Sequence, residues 1–234
     1  MNSSDLGMRI AILGGTGNLG RGLALRWAER HEIAIGSRFR EKAEALVLQY
    51  LLVAKEDFDK DYEGKIWGAE NREAAKKAEV AVLTVPGPHV LSLVSDLRGE
   101  LGNKVVISPV VPLREQEGCF LWDPKVLGQN GHLSAAELVQ ARLRRSKVVS
   151  ALQTISSGTL ADLSSKPEAD VLVSSDDRAS AEIVSSLVEE IPNLRALYAG
   201  PLRVSRMTES VTPLLLNLSI YGGATDPSVK IAEF

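Results

Sequence analysis

A glycine-rich turn placed directly after an apolar run constrains this chain more than any other feature. Residues 8–13 read Met-Arg-Ile-Ala-Ile-Leu and are stopped by Gly14-Gly15, the pattern of a short strand buried on both faces. Gly15-Thr16-Gly17-Asn18-Leu19-Gly20 is then a G-x-G-x-x-G. Behind it Leu19, Leu23, Leu25, Trp27 and Ala28 recur at helical spacing, and residues 31–36 form a second apolar run. Strand, glycine turn, helix and strand make a βαβ unit. Glycine at these places permits the tight turn, close approach of a pyrophosphate to the backbone, and packing of helix on strand. The helix N-terminus adds free N–H groups and the positive end of its dipole. Gly15, Thr16, Gly17, Asn18, Leu19 and Gly20 are therefore candidate dinucleotide-binding residues.

About twenty residues further on, proteins of this kind that take NAD carry an Asp or Glu for the ribose 2′-hydroxyl. Here the region reads Gly36-Ser37-Arg38-Phe39-Arg40-Glu41-Lys42. A hydroxyl followed by Arg and Lys would bind a 2′-phosphate through charge-assisted hydrogen bonds. Cations are disfavoured at a helix start by the macrodipole, so their presence asks for another reason. NADP is expected in preference to NAD.

The rest of the chain continues the alternation. Strands are expected at residues 66–69, 80–85, 105–108, 148–152, 171–173 and 196–198, with helices at 40–53, 71–77, 89–97, 134–143 and 178–190. This order predicts an α/β fold, a doubly wound and mainly parallel sheet. Residues 204–221 read as an apolar packing helix in which Pro213 marks a kink or a new start. The charged stretch 55–63 reads as a solvated loop. Residues 114–133 lose periodicity and carry Gly118, Pro124, Gly128 and Gly131, which reads as a long loop or insertion.

Composition narrows the function. The 27 Lys and Arg against 30 Asp and Glu give a net charge of −3, so a protein that binds nucleic acid by neutralising phosphates is not expected. A lone Cys119 and the scattered His31, His89 and His132 supply no disulfide framework and no metal-ligand spacing. No apolar run approaches the ~20 residues of a membrane span, and no signal pattern opens the sequence; a cytoplasmic protein is expected.

Acid/base pairs for alcohol oxidation are not recognisable. The Tyr-x-x-x-Lys of short-chain dehydrogenases fails, because Ala54, Ile66, Leu202 and Thr225 stand four residues after Tyr50, Tyr62, Tyr198 and Tyr221. The Lys–Asn pair of β-hydroxyacid dehydrogenases fails too, since Pro213 stands four before Asn217. A reaction that moves only a hydride needs no such pair, because face-to-face positioning of two rings is sufficient. His89 could face a cofactor from the carboxyl edge of the sheet or be a helix-start residue bonded locally. Glu209, on an otherwise apolar helix, is expected to meet a backbone or Arg partner, with Arg206 one turn before it. Cys119 has no histidine at motif spacing and is not expected to be a nucleophile.

Several segments together resemble one family. They are residues 14–26, Ile35-Gly36-Ser37-Arg38, Val82-Leu83-Thr84-Val85-Pro86, Ser108-Pro109-Val110-Val111-Pro112, Val148-Val149-Ser150-Ala151-Leu152, Gly200-Pro201-Leu202, Ser205-Arg206 and residues 209–217. Their order is similar to that of the deazaflavin-dependent NADP reductases, the NADP oxidoreductases of coenzyme F-420. The resemblance implies that Thr16 to Leu19 bind the pyrophosphate and that Ser37, Arg38 and Lys42 bind the 2′-phosphate. Val85, Pro86 and His89 would flank the nicotinamide half, with Val111 nearby. The loop 151–155, with Gln153 and Ile155, and the segment 205–217, with Ser205 and Thr212, would enclose the deazaflavin. It further implies a Rossmann domain over residues 8–150, a small C-terminal domain over 151–234, a homodimer, and hydride transfer between C5 of the deazaflavin and C4 of the nicotinamide with no catalytic side chain. In two places the chain departs from the family pattern: Gln153 stands where a His is usual, and the stretch 114–133 is longer. The alternatives are an NADP-dependent reductase of a flavin, ferric chelate or imine, and an NADP-binding sensor that turns nothing over. The sensor would lack a second ring-sized pocket beside the nicotinamide.

Overall fold

The computed structural model of the chain describes residues 7–57, 59, 61–128 and 131–232. The first half runs β1 (Arg9–Leu13), α1 (Asn18–Trp27), β2 (Glu32–Ser37), α2 (Arg40–Asp57), β3 (Ile66–Glu70), α3 (Asn71–Lys77), β4 (Val80–Leu83), α4 (Gly87–Asp96) and β5 (Val105–Ser108). A hairpin, β6 (Leu113–Gln116) and β7 (Cys119–Trp122), leads to α5 (Ala135–Arg142) and β8 (Lys147–Ser150). The chain closes with α6 (Ser157–Ala161), β9 (Ala169–Ser174), α7 (Arg178–Glu189), β10 (Leu194–Gly200) and α8 (Ser205–Gly222).

Eight strands form one sheet in the order β10-β9-β8-β5-β4-β1-β2-β3. Every pairing is parallel except β8 with β9, which meet antiparallel at Ser150 and Ser174. The expected doubly wound, mainly parallel architecture is present. From β1 the chain moves outward through β2 and β3, then crosses back to β4 on the other side. The crevice above the carboxyl ends of β1 and β4 is thus a topological switch point, where open α/β sheets bind ligands.

Two faces of burial explain why the strands read as unbroken apolar runs. Ile10 and Ile12 of β1 join a core with Trp27, Val184 and Leu187, whereas Ala11 and Leu13 join another with Leu83, Val90 and Val106. Trp27, fully buried, also donates its indole N–H to the Leu187 carbonyl at 2.8 Å and so fastens α1 to α7.

Three expectations change. α2 continues through Asp57, and Tyr62 in the charged stretch is 3% exposed, its hydroxyl donating to the Leu25 carbonyl at 2.6 Å. That stretch is therefore anchored at Tyr62 and not merely solvated there, while residues 58 and 60 lie outside the described residues. The irregular segment is largely ordered structure: the hairpin packs on α8, and Asn217 bonds both backbone groups of Phe120 at 2.8 Å. Residues 129 and 130 of that segment lie outside the described residues. α8 runs through Pro213 as a single helix, with no new start.

Glu209, on α8, is completely buried and accepts from the Ala135 and Ala136 amides that open α5, at 2.9 and 3.1 Å, and from the Trp122 indole at 3.4 Å. It joins helix, helix and hairpin. The backbone partner is as expected, but the arginine is not: Arg206 instead pairs with Glu137 at 2.7 and 2.6 Å. Burial pushes the Glu209 carboxyl from 4.5 up to about 7, against the pull of its three N–H donors. Between those values the folded chain holds a proton that the unfolded chain has lost, so this group's contribution to stability falls as pH rises from 4.5 to about 7 and is flat above. Denaturant midpoints measured across that range should decline relative to those of Glu209→Gln, which cannot titrate. Parallel pH profiles for the two proteins would remove this account.

Candidate active site

The turn after β1 is shaped by contacts that only some residues survive. Gly14 has φ +74, and a Cβ added there would stand 2.2 Å from Val85 Cγ1, so the left-handed turn begins one residue before the G-x-G-x-x-G. Gly20 is set by proximity, since its Cβ would lie 2.6 Å from Gly15 Cα. Gly17 differs: nothing lies within 4 Å of a Cβ placed there. It caps α1 with extended backbone, and the first turn of α1, with Asn18, Leu19 and Gly20, holds no acidic side chain. Their amides are the unsatisfied donors of a helix N-terminus and face outward from it. The turn itself is held by Gly14 N–H donating to the Gly36 carbonyl at 3.0 Å and to Asn71 Oδ1 at 3.2 Å, and by the Tyr50 hydroxyl donating to the Gly15 carbonyl at 2.8 Å.

Two clefts meet above this turn. The first, about 450 Å³, brings together Gly14, Thr16, Ser37, Arg38, Lys42, Val85, Pro86 and His89, with Glu70, Asn71 and Arg72 from the end of β3 and the start of α3. Among the described residues Arg38 and Lys42 form no ion pair, while Arg40 is committed to Glu73 and Glu44 and Arg72 to Glu100. Two cations without an ion-pair partner therefore stand at the cleft beside the Ser37 hydroxyl, and two carboxylates, Glu70 and Asp96, line it. The sequence did not single out Glu70, Asn71 or Arg72, because nothing in their local pattern marks them; only the β2–β3 pairing brings them there.

The second cleft, about 410 Å³, shares Val85 and Pro86 with the first and adds Leu19, Leu83, Thr84, Gly87, Pro88, Pro109, Val110, Val111, Leu113, Gln153 and Thr212. Not one of these side chains titrates near neutrality. Leu152, in left-handed backbone at φ +70, turns the chain at the end of β8 just before Gln153, and the Thr212 hydroxyl donates to the Gln153 carbonyl at 2.9 Å. His89 opens α4 on the first cleft and does not line the second. Ile155 and Ser205 line neither. Ile155 is 7% exposed and packs in the core, and Ser205 is fully buried with its hydroxyl 2.6 Å from that of Ser134. A larger hollow, about 810 Å³, lies between Arg9, Glu73 and Lys104 at the amino ends of the strands, away from the phosphate turn.

Residues 9–112 match the family described as NADP oxidoreductase, coenzyme F420-dependent. Over nearly its whole length the chain is similar to the F420-dependent NADP reductase of Methanocaldococcus jannaschii, at 41% identity covering 97% of this chain and 99% of the relative. The chain belongs to the coenzyme F420-dependent NADP oxidoreductase family. A second family member, the F420-dependent NADP reductase of Methanothermobacter marburgensis, is 36% identical over 97% of this chain and 99% of its own. Among solved structures, one from Arthrobacter sp. FB24 covers 97% of this chain and all of its own with a TM-score of 0.80 at 24% identity. An imine reductase of Streptomyces aurantiacus covers 91% of this chain and 63% of its own, with a TM-score of 0.56 at 15% identity. These two likenesses concern the fold alone.

Proposed function

We propose that the chain passes a hydride between a reduced 8-hydroxy-5-deazaflavin, coenzyme F-420, and NADP. The observation that carries this reading is the pair of clefts joined at Val85 and Pro86, one with free cations and the other ring-sized without a titratable side chain. NADP lies across the switch point, its pyrophosphate on the amides of residues 16–19 and its 2′-phosphate at Ser37, Arg38 and Lys42. The nicotinamide rests on Val85 and Pro86, and the deazaflavin occupies the space bounded by Val111, Gln153 and Thr212. When both are bound, C5 of the deazaflavin and C4 of the nicotinamide exchange the hydride. The protein's part is to orient the two rings and exclude water from between them. A sensor has no need of the second cleft, and an imine reductase would want a proton donor there.

The residues from 151 onward supply one wall of that cleft through Gln153 and Thr212, while their strands β9 and β10 extend the sheet begun by the first 150 residues. A homodimer is supported by α8, whose Met207, Val211, Leu214, Leu218 and Tyr221 fall at heptad spacing, all but Val211 strongly exposed. Cytoplasmic residence agrees with the single free thiol; among the described residues no helix is long and apolar enough to cross a membrane.

The test is single-turnover oxidation of the reduced deazaflavin by NADP, with deuterium at the transferred position. Val111→Phe should hold the rings beyond the ~3–3.5 Å near-attack distance and slow the step about 100-fold. His89→Asn should cost less than the ~10²-fold at the low end for an acid/base residue. No transfer by the wild type would end the reading, and a silent Val111→Phe beside a crippling His89→Asn would replace positioning with acid/base chemistry. Ile155 is not a substitute for Val111 in this test, since enlarging a core residue reports on packing.

A further inference from the structure

We propose that Gln153 is a specificity residue for the deazaflavin, its side-chain carbonyl accepting a hydrogen bond from the imide N–H of the bound ring. The inference rests on the function proposed above. Gln153 is 8% exposed and lines the second cleft. Its Nε2 points inward, to the Ser108 carbonyl at 3.4 Å and to the Ser150 hydroxyl. A backbone carbonyl can only accept, so the amide cannot be turned over without setting oxygen against oxygen. The backbone on either side allows little adjustment, because Leu152 is fixed in left-handed conformation and the Gln153 carbonyl is taken by Thr212.

Oε1 is thereby left as the group that Gln153 offers the cleft. Among the described residues the hydrogen bonds of the Gln153 side chain run through Nε2 alone, which leaves Oε1 for a partner in the cleft that Gln153 lines. The partner must be a donor. A deazaflavin carries one on its ring edge, the N–H between the two carbonyls of its pyrimidine half, and a nicotinamide carries another in its carboxamide. Val85 and Pro86 continue into the cleft that holds the cations, which places the nicotinamide on their side. Gln153 sits at the end of β8, two strands away from β4 in the sheet, and so takes the second ring. The amide neither changes charge nor becomes a donor toward the cleft as pH falls.

The experiment crosses one change in the protein with one in the ligand. Wild type and Gln153→Met are assayed for hydride transfer to NADP from the reduced deazaflavin and from its imide N-methyl analogue, with NADPH affinity read separately by fluorescence titration. In the wild type, methylation should lower kcat/KM roughly tenfold, the cost of one lost and unreplaced hydrogen bond. Gln153→Met should lose a similar factor with the parent ligand and then respond to methylation by less than about twofold, since the interaction is already gone. NADPH affinity should be unchanged in both proteins. Equal losses on methylation in the two proteins would mean a steric clash and overturn the assignment, as would a fall in NADPH affinity, which would give the contact to the carboxamide. If Gln153→Met is poorly folded, a wild type indifferent to methylation overturns the assignment without it. A wild type inactive with the parent deazaflavin would overturn the function itself, and that is visible before any variant is made.

Discussion

Gly17→Val should leave a folded protein that no longer holds NADP, with affinity down by at least about 10³-fold, equivalent to roughly 4 kcal/mol. Both halves of this expectation come from the same fact. A Cβ at Gly17 has no protein atom within 4 Å, and the backbone there is extended, so the fold has no quarrel with a side chain. The open volume is the mouth of α1, where a pyrophosphate must approach the first-turn amides. An isopropyl group fills that mouth. Thermal unfolding of the free protein and fluorescence titration with NADPH separate the two effects. A variant that binds normally would move the phosphate site elsewhere, and one that fails to fold would mean that the turn is more crowded than its geometry shows.

Replacing Arg38 with Ala should weaken NADP binding by about ten- to a hundredfold, the loss of a charge-assisted contact of roughly 1.5–3 kcal/mol, and should leave NAD binding nearly unchanged. Arg38→Ala with Lys42→Ala should approach 10³-fold, short of full additivity because both cations face one phosphate. Arg40→Ala is the built-in control. Its guanidinium is already engaged by Glu73, whose carboxyl Lys77 and then Arg40 hold below its ordinary range, so its removal should barely alter the preference for NADP. Titration with NADP and NAD in parallel decides the matter: equal losses for both nucleotides in Arg38→Ala would make Arg38 structural.

What the sequence makes legible is what depends on neighbours along the chain. β1, the glycine turn, α1 and β2 are readable because burial on two faces, turn geometry and helix periodicity are all local. The cations after β2 are readable for the same reason, but which of them is free is not. Arg40 meets Glu73 across 33 positions, and no spacing rule reaches that far. Residues 113–122 look irregular because their strands are short and half exposed; the hairpin is fixed by Asn217, 97 residues away from Phe120. Helical spacing alone suggests Arg206 as a partner for Glu209, yet α5 presents Glu137 to the arginine and its bare amides to Glu209. Ile155 and Ser205 resemble site residues in sequence, and the fold buries both away from the cleft linings.

The second cleft has no side chain that can take up or give back a proton near neutrality, and this bears on which way the reaction runs. Oxidation of a reduced deazaflavin by NADP releases a proton as well as a hydride, and with no titratable side chain in this cleft to store it the proton passes out of the cleft. Acidity then enters through the overall equilibrium, and the ring-to-ring step itself stays insensitive to it. Nothing in the cleft favours one oxidation state by charge. A catalyst leaves the equilibrium between the two couples unchanged, so on this reading net transfer follows their supply ratios.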